Sequence, residues 1–335
     1  MLVLIVSPQF TESAEVNPWT HTFYFENDLF NGTDSNYTNG VKYSVISPDL
    51  SPGAPQGTLP KKVLEYVHKI PLIRESPPEY SNQVEFSFGQ NMYTPTDISR
   101  SGLIKDDRPY AGWLYISTSY HRKYSTENPV KFMDTVELQF GVIGPASLAE
   151  DTQRIVHQWR GIETAKGWDH QLKNEPGIAA IFERKWLFHP PAQKALSYNV
   201  ITHAGGAAGN VYTYLNTGLE IRAGWDLPTD FGVSLIRPAG STRLSVGRDF
   251  SMYGFGAVDG RLVIHDIFLD GNTFTRSHSV DKKPFVADLA AGLAIQYRGV
   301  VVTFTEVMRT KEFRGQDLNH SFGSVALSFS YPFEF

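Results

Sequence analysis

A chain of 335 residues with a mean hydropathy of -0.25 can build one barrel or two ordinary domains, and it holds no apolar run long enough for a transmembrane helix. A net charge of -5 gives no electrostatic reason to expect nucleic acid, and the absence of cysteine excludes disulfide frameworks, thiol nucleophiles and thiolate metal sites. Aromatic residues make up 13% of the chain, which suits rings placed half-wet at two membrane interfaces or an aromatic-rich soluble β-sandwich.

Residues 1–19 open with a short apolar run, Leu2 to Val6, followed by Ser13 and Ala14. They read as a signal remnant or disordered lead-in, with one domain expected over 20–335. Strands are then expected at 20–27, 39–48, 82–92, 111–124, 131–143, 175–188, 194–206, 211–225, 249–268, 283–297, 299–310 and 322–335. The evidence for each is alternation. Val136, Leu138 and Phe140 oppose Glu137, Gln139 and Gly141, and Phe285, Leu289 and Leu293 oppose Asp288 and Gly292. The last segment is the clearest, with Val325, Leu327, Phe329, Tyr331, Phe333 and Phe335 on one face and Ala326, Ser328 and Ser330 on the other. A soluble edge strand so apolar would aggregate, so a lipid-facing strand is the better reading. The stretch 227–248 has room for another strand.

Two helices interrupt the pattern. A weak one is expected over Lys62–Ile70. A stronger one is expected over 147–161, where Ser147 and Glu150 read as a capping box and Gly161 as the stop. The fold class is therefore an all-β, antiparallel, up-and-down transmembrane barrel of about 12 strands with a short loop helix. A terminal Phe on the last strand resembles the sorting signal of outer-membrane barrels and makes the barrel assembly machinery an expected partner. A monomer is expected.

With a periplasmic N-terminus, the connections after strands one, three and five are extracellular. The first carries Asn27 and Asp28 and leads to Thr38. The second carries Lys105, Asp107 and Arg108. The third carries Gln153, His157 and Glu163. A neutral imidazole can take a proton from water, and Gln153 lies one helical turn before His157. Asp28 and Glu163 are hard oxygen ligands suited to Ca2+, while Asn27 and Thr38 offer neutral oxygens or donors. No Gly-x-Ser-x-Gly elbow is present. A histidine-activated water with Ca2+ as electrophile is then the economical route to ester cleavage at a lipid surface. Asp107 and Arg108 read best as an ion pair shaping their loop, with a grip by Arg108 or Lys105 on a lipid phosphate as the functional alternative. Trp113 and Trp168 read as interface aromatics.

Glu26-Asn27-Asp28, Tyr37-Thr38-Asn39-Gly40, Asp107 to Trp113, Gly141 to Pro145 and Gln153-x-x-x-His157-x-x-x-Gly161-x-Glu163 occur in that order. Together they resemble the lipid A 3'-O-deacylase (LpxR) family. The resemblance implies an outer-membrane barrel that uses Ca2+ to remove the 3'-linked acyloxyacyl group of lipopolysaccharide. It places catalytic roles on His157, Gln153, Asn27 and Thr38 and metal ligation on Asp28 and Glu163, with a site facing the extracellular leaflet. An outer-membrane phospholipase and a non-catalytic small porin or adhesin are the rival readings.

Overall fold

The structure is a computed structural model that describes residues 18–28, 36–52, 54, 61–124, 130–189, 196–232, 236 and 250–331. Twelve strands close into one antiparallel barrel in which β1 pairs with both β2 and β12. They are β1 (Trp19–Asn27), β2 (Asn36–Ile46), β3 (Tyr80–Thr94), β4 (Ala111–Tyr124), β5 (Val130–Ile143) and β6 (Glu175–Phe188), then β7 (Leu196–Gly209), β8 (Tyr212–Trp225), β9 (Phe250–Asp266), β10 (Phe285–Tyr297), β11 (Val300–Arg309) and β12 (His320–Tyr331). The expected strands are all present. β1 already includes Trp19, and most of the expected lead-in, residues 1–17, lies outside the described residues, as do Phe333 and Phe335.

Alternation decides which side chains face lipid. On β5, Val136, Leu138 and Phe140 are exposed, whereas Glu137 and Gln139 are buried in the lumen. Closure satisfies the backbone of every strand without leaving an edge, which is what lets a sheet stand in a bilayer. The lumen is polar and internally paired. Lys42 and His121 both meet Glu85, at 3.5 and 3.0 Å, and Arg309 meets Asp288 at 2.8 Å.

The chain leaving β8 folds back inside. Arg222 pairs with Asp230, Phe231 packs with Met133, Leu187 and Ile201, and Ile236 packs with Tyr24 and Ala326. The Ile236 amide donates to Glu26 at 2.7 Å. A cavity of about 160 Å³ remains beside this plug, lined by Tyr93, Trp113, Tyr115, Lys185, His203 and Tyr212 among others. Residues 227–232 and 236 are not strand, and the rest of 227–248 lies outside the described residues.

Four short helices complete the described residues: α1 (Lys61–Val67), α2 (Pro71–Arg74), α3 (Ala149–Arg160) and α4 (Ile267–Asp270). The first and third answer to the two expected helices. The capping box does not form. Gly144, at φ 91°, and Pro145 turn the chain through a 3-10 turn, in which Ser147 donates its hydroxyl to the Gly144 carbonyl at 2.6 Å. Leu148 then enters α3 in the left-handed region with no side-chain cap. Gly161, at φ 69°, ends the helix as expected.

The ends of β1, β3, β5, β7, β9 and β11 lie at one end of the barrel, here termed the upper rim. Several of the connections there are tied together. Glu175 accepts the amides of Thr273 and Phe274, and His278 donates to the Asp107 carbonyl at 2.7 Å.

Candidate functional site

Parity places the first set of candidate residues on the outside of the barrel wall, not in its lumen. On β1, Phe23 and Phe25 face outward, so Asn27 follows on the same face, while Glu26 turns inward to accept from Tyr37. Asn27 pairs with Asn39 of β2, Asn39 with Met92 of β3, and Met92 with Gly112 of β4. This rung lies on the outer face at the upper rim. An outward residue in that position should be exposed, yet Asn27 and Met92 are 5% and 2% exposed. Something covers the wall here.

Part of the cover is α3. A Cβ added to Gly112 would run into Ser147 and Ala149, so glycine is what lets the start of the helix approach the strand. Gln90, also on the outer face of β3, donates to the Ser147 carbonyl at 2.6 Å. Ala149, Gln153 and His157 are the buried residues of α3, four apart in sequence and therefore on one face. The opposite face is apolar and open: Leu148, Ile155 and Trp159 are 53, 63 and 87% exposed. The helix thus buries a polar face against the wall and presents an apolar one outward.

Thr38 reaches the same wall through a β-bulge. The β2–β3 register shifts between Tyr37 and Asn39, and Thr38 is the additional residue. Bulges re-aim side chains next to sites. This one brings the Thr38 hydroxyl to within 2.7 Å of that of Thr94, on the outward face of β3. Asp28 follows Asn27 at the strand end and is fully buried.

His157 is held in a defined protonation pattern. Its Nδ1 lies 2.6 Å from the main-chain carbonyl of Glu163. A carbonyl can only accept, so Nδ1 carries a hydrogen, and in the neutral imidazole the lone pair is then on Nε2. Glu163 therefore acts on His157 through its backbone. Its carboxylate is exposed and pairs with Lys166 at 2.6 Å.

Trp168 is corrected from an interface aromatic to a structural partner of the site. It is buried against Met92, Tyr110 and Ala149, and its indole N–H donates to Gln153 Oε1 at 2.7 Å. An indole nitrogen is donor only, so the bond sets which end of the Gln153 amide is the oxygen and leaves its NH2 for other acceptors. Trp168→Phe is expected to lower kcat about tenfold at nearly unchanged KM, because one buried hydrogen bond worth roughly 1–1.5 kcal/mol orients that amide. Steady-state kinetics on the purified variant check this, and an unchanged kcat removes the positioning role. Trp113 is likewise corrected. It faces the lumen, 1% exposed, and stacks on Tyr115. Its odd numbering, shared with Tyr115, Ser117 and Ser119, already carried that signal.

The expected Asp107–Arg108 ion pair is absent. Asp107 accepts the amides of Thr96 and Arg108, whereas the Arg108 guanidinium is buried against Glu312 at 3.4 Å and over the Tyr93 ring. Burial beside a carboxylate leaves Arg108 tying the β3–β4 connection to the one after β11. Lys105 is exposed at the rim. Thr94 was not singled out from sequence, and Trp168 was read there only as an interface aromatic. Thr94 shares the even-numbered outward face of β3, but nothing local announces the bulge that brings Thr38 to it.

The candidate ligands on this part of the wall are all oxygen donors: the buried Asp28 carboxylate, the Asn27 amide next to it in sequence, and the Thr38 hydroxyl at the bulge. That chemistry fits a hard cation of the Ca2+ type with few charged ligands. Among the described residues, no three His, Asp or Glu side chains group into a metal site by themselves.

A family profile described as "Outer membrane protein LpxR" matches residues 1–331. No curated protein matches the chain. Among solved structures, LpxR from Salmonella typhimurium aligns with a TM-score of 0.73 at 18% identity, covering 93% of this chain and 100% of that one. The β-domain of the Bordetella autotransporter BrkA aligns with a TM-score of 0.48 at 8% identity, covering 95% and 99%.

Proposed function

Because the chain belongs to the LpxR family of outer-membrane proteins, we propose that it is a lipid A 3'-O-deacylase working from the outer wall of its barrel. The observation that carries the reading is the polar face of α3 packed on β3 and β4, where His157 is buried with Nδ1 against the Glu163 carbonyl. A site in the wall, and not in the lumen, can be entered sideways by a molecule embedded in the same leaflet. With the termini in the periplasm, the upper rim faces the outer leaflet, where lipid A resides.

In this mechanism His157 Nε2 takes a proton from water as the water oxygen attacks the ester carbonyl. The tetrahedral intermediate then breaks its bond to the sugar 3'-oxygen, His157 returns its proton to that alkoxide, and the acyloxyacyl group leaves as its carboxylate. The Gln153 NH2, oriented by Trp168, would donate to the developing oxyanion. Asp28, Asn27 and Thr38 would hold Ca2+, which when bound polarises the carbonyl and stabilises negative charge on its oxygen. Ligation by the Glu163 carboxylate would require it to leave Lys166, so the role supported here is that of its main-chain carbonyl.

Lipid A mass spectra of cells with and without the protein test the proposal. Loss of one acyloxyacyl group is expected. Unchanged lipid A with release of glycerophospholipid fatty acids would move the same chemistry to a phospholipase. Unchanged lipids with ion conductance in planar bilayers would favour a porin, against which the side chains of Arg222, Asp230, Phe231 and Ile236 already occupy the lumen.

The outward face of α3 gives a further expectation. Trp159→Ser should raise KM roughly tenfold for substrate in vesicles, since an exposed tryptophan on an interfacial helix partitions into the headgroup boundary. Detergent-dispersed substrate should be turned over nearly as before. Equal effects on both substrates would count against a membrane-seated helix.

A further inference from the structure

The outer wall has a second depression on the opposite side of the barrel. In the ring of twelve strands, β8 to β11 lie across from β2 to β4 and α3. Leu215 of β8, Leu262 of β9 and Phe285 of β10 share one outward rung, and Leu215 and Phe285 are 58 and 72% exposed. Two residues further from the upper rim the wall recedes to Thr217, Gly260 and Ala287. A Cβ at Gly260 would meet nothing closer than the Thr217 carbonyl at 3.8 Å. The resulting groove has a volume of about 740 Å³.

Its upper edge is cationic. Lys283, just before β10, and Lys311, just after β11, both line it, and no Asp or Glu among the described residues does. Neither lysine has an ion pair among the described residues. The Lys283 amide donates to the carbonyl of Glu312, the residue after Lys311, so the two lysines stand on neighbouring chain segments. Arg261 also borders the groove, but its guanidinium is committed to Asp288 at 2.9 Å.

We propose that this groove is a docking site for a phosphorylated lipid of the outer leaflet, with the phosphate between Lys283 and Lys311 and an acyl chain in the recess at Gly260. Two lysines on neighbouring chain segments at the edge of an apolar trough match an anionic headgroup above a hydrocarbon tail. A zwitterionic or neutral lipid would leave both charges uncompensated at the membrane surface. The bound lipid is held and not cut, because no histidine lines the groove and His157 lies on the other side of the barrel. The site stands whether or not the protein is a deacylase.

Native mass spectrometry tests it on the full chain purified from vesicles of phosphatidylcholine with and without bis-phosphorylated lipid A. The chain carrying His157→Ala, which prevents turnover and serves as the reference, should retain one lipid A in the groove in addition to any held at the α3 site. The K283A/K311A pair should weaken retention roughly thirtyfold, at about fivefold per lysine. Gly260→Ile fills the recess and leaves both lysines in place, and it should also lose the lipid. Both variants should keep the heat-modifiable electrophoretic mobility of a folded barrel, and neither change should alter deacylation when His157 is present. Equal retention in the reference and K283A/K311A overturns the proposal. So does retention unchanged by Gly260→Ile, or competition by inorganic phosphate as effective as that by lipid A, because either would leave the acyl chain no part in binding.

Discussion

His157→Ala is expected to lower lipid A deacylation roughly 10²–10⁴-fold, the usual contribution of a positioned general base, while the barrel stays folded. The folding half of this expectation comes from where the residue sits. His157 belongs to α3, outside the closed ladder of strands, and its hydrogen bond to the Glu163 carbonyl lies within that helix and the turn after it. The start of the helix stays seated on Gly112, and its end keeps the Gly161 turn. The expected cost is about 1 kcal/mol of local stability. Lipid A mass spectra from cells making each form, beside electrophoresis of heated and unheated samples, read both halves at once. A folded, fully active variant would remove His157 from the chemistry and leave the site without a base.

Removing the cation should be nearly as costly. Chelation of divalent ions is expected to stop product formation, and readdition of Ca2+ to restore it. Asp28→Asn should lower activity at saturating Ca2+ about 10²–10³-fold and shift half-activation to higher Ca2+ concentration. The physical reason is charge. Asp28 is the one carboxylate in a donor set otherwise made of the Asn27 amide and the Thr38 hydroxyl, so its neutralisation removes the only formal counter-charge those three supply. Oxyanion stabilisation is commonly worth that much in rate. Glu163→Gln separates the two parts of that residue. The variant keeps the carbonyl that holds His157 and loses the carboxylate on Lys166, so near-normal Ca2+ dependence is expected. A rise in the Ca2+ requirement matching that of Asp28→Asn would assign the carboxylate to the metal instead. Full activity in the presence of a chelator would sink the cation altogether.

The residues differ in how openly they announced themselves. His157, Gln153, Asn27, Asp28 and Thr38 were candidates from their residue types, their spacing and the resemblance they carry. Trp168 was visible only as an aromatic, and its bond to Gln153 spans 15 positions through a turn whose shape no local pattern specifies. Arg108 was paired with its sequence neighbour Asp107, yet it found Glu312 across the rim, because loop contacts between distant strands are set by how the barrel closes. The capping box failed for a local reason that outranks propensity. Gly144 and Pro145 start a tighter turn, and Ser147 spends its hydroxyl there.

Alternation by itself determined the barrel, its twelve strands and which side chains face lipid, because a period of two reads directly as two faces of a sheet. The tertiary structure alone decided that the candidate site lies on the outer wall under α3. The outward parity of Asn27 was legible in the numbering of β1, but the burial of that outward face was not. It arises from a helix that belongs to another connection, admitted by Gly112 on β4, and from a bulge that turns Thr38 toward Thr94. Faces are a property of consecutive residues. Cover is a property of chain segments that meet only after the ring has closed.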